Sequence, residues 1–284
     1  ALGSLTLDAN TTGANNTACG EGSLSANTTA SNNTAVGYQA LEENTTGTEN
    51  VAVGAIALTA ATTASYNTGI GRYALGNTTT GGSNTGVGHN VLKENTTGTQ
   101  NVAVGGSALD ANTTGGANTA IGENALGANT TAGNNVAVGR VALGANSTGI
   151  QNVAVGTNSL DANTTANNNT GLGYNSLTEN TTGTSNVAVG AHTLAANTTA
   201  DNNTAVGKSS LNANTTGAHN TGIGQSSLVL LTTGDQNTAV GSFSLQAATT
   251  GEYNVAMGYN ALGANTTASN NSGLGYRDLE ANTT

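Results

Sequence analysis

The chain has no proline, no tryptophan and one cysteine, and only 3% of its 284 residues are aromatic and 7% charged. Without large side chains it cannot fill a thick core, so any core must be thin and extended along one axis. Cys19 stands alone, which excludes an intrachain disulfide, and it reads as a small buried hydrophobe. Five Lys and Arg against 15 Asp and Glu leave a formal charge of −10. Phosphate backbones are held by clustered cations, so nucleic acid is not an expected partner. No apolar run approaches the roughly 18 residues of a membrane-spanning helix, so no membrane insertion is expected.

What the chain has is a period. Asn recurs every 17 residues from Asn16 to Asn271, sixteen times without a miss. Self-similarity at a fixed short period marks a repeat architecture. With that Asn as slot one, slot five is Gly from Gly3 to Gly275, slot nine is Leu from Leu7 to Leu279, and slot fourteen is Thr from Thr12 to Thr284. Polar low-complexity chains are often disordered. Random polar tracts, however, do not return Leu, Gly and Thr to the same slots.

Seventeen residues are too few for a helical hairpin, and Gly, Asn and Thr are poor helix formers. Val, Ile and Thr favour strands, while Gly and Asn favour turns. The expected fold is all-β, a parallel β-solenoid or β-roll of about 17 coils with one 17-residue repeat per coil. Slots one to four should form one strand, closed by the slot-five Gly, and slots seven to nine a second strand. Asn101, Gly105, Asn112, Thr113 and Thr114 exemplify the turn and ladder positions, where stacked Asn amides can satisfy one another from coil to coil. Slots four and nine should supply the apolar filling: Val53, Leu58, Val104, Leu109, Val138, Leu143, Val189 and Leu194. Slot three is only Ala or Gly, which implies a close backbone neighbour. Large and charged residues fall almost entirely in slots six, seven, ten, eleven, sixteen and seventeen, which should face water. The chain enters at Ala1 in slot three and leaves at Thr284 in slot fourteen of ordinary coils. It is therefore expected to be one continuous solenoid over 1–284, uncapped at both ends and part of a longer fibre.

The string NVAVG at Asn101–Gly105, with small residues at Ala108, Ala111 and Gly115, resembles the head repeat of trimeric autotransporter adhesins. The units of Asn33 to Gly47 also resemble stalk segments of phage-like tail fibres. The resemblance implies a left-handed parallel β-roll, three chains side by side, at a bacterial surface and used for attachment. This unit is longer, with the extra length at the Asn-Thr-Thr turn, and has Leu in slot nine. A wider coil of this kind could fill its own core as a single chain.

Catalysis needs unlike residues converging in a concave site. His89, His192 and His219 occupy three different slots, about six and then about two coils apart, and the acidic residues do not recur in one slot, so neither a catalytic constellation nor a bound metal or other cofactor is expected. The reading that follows is a non-catalytic structural component of an extracellular or cell-surface fibre or adhesin stalk. It would self-associate as a trimer or an end-to-end filament and engage a host, cell or surface receptor. Two alternatives remain. Thr in slots thirteen and fourteen could form an ice-binding array. Asn-Thr-Thr matches the N-glycosylation acceptor pattern, for instance at Asn10, Asn95 and Asn163, so the fibre could carry glycans. One coil breaks the pattern: Val229, Leu230 and Leu231 put three apolar residues in slots ten to twelve, a candidate contact patch.

Overall fold

A computed structural model describes residues 1–283, all-β and without helix. Thr284, where the slot-fourteen run ends, lies outside the described residues. The chain forms two compact units, Ala1–Val141 and Ala142–Thr284. The first holds β1 (Thr17–Cys19), β2 (Thr34–Val36), β3 (Val51–Val53), β4 (Thr68–Ile70), β5 (Thr85–Val87), β6 (Val102–Val104), β7 (Thr119–Ile121) and β8 (Val136–Val138). The second holds β9 (Val153–Val155), β10 (Thr170–Leu172), β11 (Val187–Val189), β12 (Thr204–Val206), β13 (Thr221–Ile223), β14 (Thr238–Val240), β15 (Val255–Met257) and β16 (Ser272–Leu274). Within each unit every strand pairs in parallel with the next, at constant register. In β6 and β7, for example, Val102, Ala103 and Val104 lie opposite Thr119, Ala120 and Ile121. Each unit is thus a parallel β-solenoid with one strand per 17-residue repeat.

The second strand expected at slots seven to nine does not form. Slots six to eleven are turns, closed by bonds such as Ala108 N–H to Gly105 O and Asn112 N–H to Leu109 O. The reason is in the backbone. Ser107 and Leu109 both have φ of +54°, and the equivalent slots repeat this sign in the other coils. Left-handed residues at alternate positions cannot lie in an extended strand. The coils still bond to each other here, as when Leu109 N–H donates to Ala125 O of the next coil.

The slot-five Gly is required on two counts. Gly105 has φ of +128°, and a Cβ placed on it would lie 2.7 Å from the carbonyl carbon and oxygen of Gly122. Any side chain there would be both strained and overlapped.

The interior corrects half of the expected core. Strand side chains alternate between faces, so slots two, three and four cannot all point inward. Slot three does: Ala52, Ala103, Ala137 and Ala188 are fully buried. Slot four therefore faces out. Val53 and Val104 are 37% exposed, and Val138 and Val189 are half-buried. Leu58, Leu109, Leu143 and Leu194 of slot nine are fully buried, as are the small slot-eight residues and the slot-one asparagines of the same coils.

Candidate interaction surface

Two amide ladders run through the coils. Asn101 Nδ2 donates to Asn84 Oδ1 of the preceding coil at 3.1 Å and to Gly115 O across its own coil at 2.9 Å. Asn112, in slot twelve, donates to Asn95 Oδ1 at 2.9 Å and to the same Gly115 O at 3.0 Å. Both asparagines are fully buried. Two polar side chains per coil can lie inside because each finds its partners there.

Slot thirteen continues the pattern at the corner: Thr113 Oγ1 donates to Thr130 O at 3.0 Å. Thr114, in slot fourteen, is exposed, and among the described residues no slot-fourteen threonine donates its hydroxyl to the protein. The corner hydroxyl that bonds backbone is thus that of slot thirteen.

Burial also decides the acceptor pattern for glycans. Asn95 and Asn163 are fully buried, and Asn163 Nδ2 is held by Asn146 Oδ1 at 2.9 Å and Ala166 O at 3.2 Å. Asn10 is half-buried and donates to Gly13 O at 3.0 Å. A folded coil does not present these amides to a glycan. The apolar triplet is corrected in the same way. Leu230 is exposed and Val229 half-buried, but Leu231 is fully buried, standing inside in place of a ladder Asn.

What the coils do present is the outer face of the strands. Slot two is Thr or Val, with Ser272 the one departure, and slot four is Val, Ile or Leu, apart from Cys19 and Met257, in β1 to β16. No charged residue falls on this face, although the chain carries −10. Val36, Val53, Ile70, Val102, Val104 and Ile121 are exposed on it in the first unit. Val153, Leu172, Ile223, Val255, Met257 and Leu274 are exposed on it in the second. Three residues span roughly 10 Å and eight strands roughly 38 Å, so each unit offers roughly 400 Å² of such surface. Composition alone hides this face, because an apolar slot-four residue suits filling equally well, although the invariably small slot three already fixes the alternation.

Charged residues gather elsewhere. Arg140 Nε lies 3.6 Å from Glu123 Oε2, and Arg72 Nη1 lies 3.4 Å from His89 Nε2, all in slot six. Gly106 leaves a gap in that row. A shallow polar groove of about 430 Å³ opens there, lined by His89, Ser107, Glu123, Asn124, Arg140 and Val141. Lys93 Nζ pairs with Glu94 Oε1 at 2.8 Å; this bond raises the Lys93 pKa and, together with a bond from Asn77, lowers that of Glu94. Burial pushes the Asp110 carboxyl above its usual range. Among the described residues no group of three or more His, Cys, Asp and Glu could hold a metal ion, and no helix is long and apolar enough to cross a membrane.

In comparisons with known proteins, no family model, no curated protein and no solved structure matches this chain.

Proposed function

We propose that the chain is a structural, non-catalytic part of an extracellular or cell-surface fibre or adhesin stalk, in which copies of the chain pack against one another through the uncharged strand face. The observation that carries this reading is that face: regular, apolar in slot four, Thr or Val in slot two, and free of charge on an acidic molecule. Contiguous apolar patches of a few hundred Å² on a soluble surface mark contact sites. A stable interface buries about 800 Å² per partner, and each unit's face offers about half of that. A second copy brings the same uncharged face, so no charge is desolvated on either side. The three-chain association implied by the resemblance to trimeric autotransporter adhesin heads accords with this.

The test is sedimentation equilibrium of the purified chain, with Val104→Lys and Val189→Lys introduced together. The wild type should associate, and the double variant should fall to a monomer while keeping its β circular dichroism. A monomeric wild type at tens of micromolar would sink the proposal.

A second reading, an ice-binding surface, rests on the exposed slot-fourteen hydroxyls, for example of Thr46, Thr114 and Thr182. Their neighbours in slot thirteen are tied to backbone, which leaves a single column where a lattice match needs two dimensions. Thermal hysteresis lost on Thr114→Lys would favour it.

A further inference from the structure

The slot-twelve ladder is interrupted twice, and the two interruptions differ in a way that assigns an internal ligand to one of them. Where the ladder runs, each slot-twelve Nδ2 uses two hydrogens. Asn44 Nδ2 donates to Asn27 Oδ1 and to Gly47 O, each at 3.0 Å. The next coil has Ala61 in this slot, and the one after has Thr78. Asn44 is fully buried, yet its Oδ1 has no partner. Ala64 O, the matching slot-fifteen carbonyl, receives Asn50 Nδ2 at 2.8 Å but has no slot-twelve amide to receive. Two buried acceptors thus converge where an amide nitrogen stands in the uninterrupted coils. One coil further on, the fully buried Thr78 Oγ1 accepts only a 3.5 Å contact from Asn95 Nδ2, so its hydroxyl hydrogen is available.

At the second interruption the slots are Leu231 and Ala248. Asn214 Oδ1 is likewise buried and unpartnered. Here, however, Leu231 is fully buried, and its Cδ1 lies 2.9 Å from where a Cβ on Gly234 would stand. The leucine methyl takes the place of the amide over the slot-fifteen residue.

We propose that the coil of Ala61 binds one internal water molecule, which donates to Asn44 Oδ1 and Ala64 O and accepts from Thr78 Oγ1, and that the coil of Leu231 excludes it. Water suits the site in number and size. It has two hydrogens for two acceptors, as the absent amide nitrogen had. Its share of volume, about 30 Å³, is close to what an amide adds to an alanine side chain. Two to four polar partners are what a buried water needs, and this site offers three. At Leu231 the neighbouring methyl both fills the volume and offers no partner. Asn214 Oδ1 therefore stays unsatisfied, at a cost of about 1–3 kcal/mol.

The inference concerns the interior of the coil and stands whether or not copies associate. It is tested by crystal structures of the full chain at a resolution that orders internal waters, for the wild type, Ala61→Asn and Leu231→Ala. The wild type should show one full-occupancy water within about 3 Å of both Asn44 Oδ1 and Ala64 O, and none at Asn214 Oδ1. Ala61→Asn should lose the water and close the ladder, and Leu231→Ala should gain one. A well-ordered wild-type map without water at Ala61, or with one beside Leu231, overturns the proposal. So does an Ala61→Asn variant that keeps its water.

Discussion

Asn118 takes Asn101 Oδ1 twice, with its backbone N–H at 3.0 Å and its Nδ2 at 3.2 Å. One side-chain oxygen therefore satisfies a buried peptide group and continues the ladder. In Asn101→Ala the Asn118 N–H loses its acceptor, whereas Asn118 Nδ2 keeps Ala132 O at 2.8 Å. The expected loss is about 2–4 kcal/mol, from one orphaned donor plus the cavity. Asn101→Asp keeps the acceptor but faces Gly115 O with a buried carboxylate. It should be worse than alanine at pH 7 and recover as the pH falls and the carboxyl takes up the donor proton. Urea unfolding at two pH values separates the cases; equal loss at both pH values for Asp would mean the site is wet.

Gly105 and Gly106 are neighbours with opposite expectations. Gly105→Ala should cost about 3 kcal/mol or more, since φ is left-handed and Gly122 backbone stands in the way. Gly106→Ala meets nothing within 4 Å, and should lie between neutral and about 1 kcal/mol stabilising. Thermal unfolding of the two single variants checks this. Similar midpoints would mean that the stacked glycines can move apart.

Slots three and eight share volume inside one coil. Val91, large for slot eight, has Cγ1 3.1 Å from where a Cβ on Gly86 would lie. Gly86→Ala should therefore destabilise the wild type by about 1 kcal/mol but help in a Val91→Ala background, where it refills the space. A double-mutant cycle with no coupling would show that the two positions do not press on each other.

Asp110 carries a pH dependence whose sign follows from its burial. Its carboxyl is raised by burial, so the unfolded chain gives up that proton more readily than the folded one. Raising the pH through and above the usual Asp range therefore favours unfolding. Asp110→Asn should be more stable than the wild type at pH 7, with the advantage gone below the usual Asp range. Denaturation midpoints at pH 7 and about pH 3 measure it, and an advantage that persists in acid would point to another cause.

The period, the slot-five Gly, the slot-nine Leu and the amide ladders were legible because repetition makes identity at a slot visible. Conformation at a slot was not. Nothing in the residue type of Leu109 announces a φ of +54°, so slots seven to nine read as a strand by composition. Val104 read as core for a similar reason: a valine looks the same whether it fills a coil or faces a neighbour. Leu231 read as surface because its slot is polar elsewhere, although that slot points inward and an interior place accepts leucine more easily than asparagine.

From Asn50 to Asn118 the slot-one amide bonds between coils have the same sense. Asn50 gives its hydrogen to Asn33, Asn67 to Asn50 and Asn84 to Asn67, always toward the lower-numbered coil. Slot twelve agrees, with Asn27 giving to Asn10 and Asn44 to Asn27. The side-chain dipoles therefore add like arrows in a quiver. In these two ladders one face of a coil shows side-chain amide hydrogens, and the opposite face shows side-chain oxygens. Coils of this kind can follow one another head to tail. Turned end for end, they would set oxygen against oxygen, so each repeat carries a compass as well as a ruler.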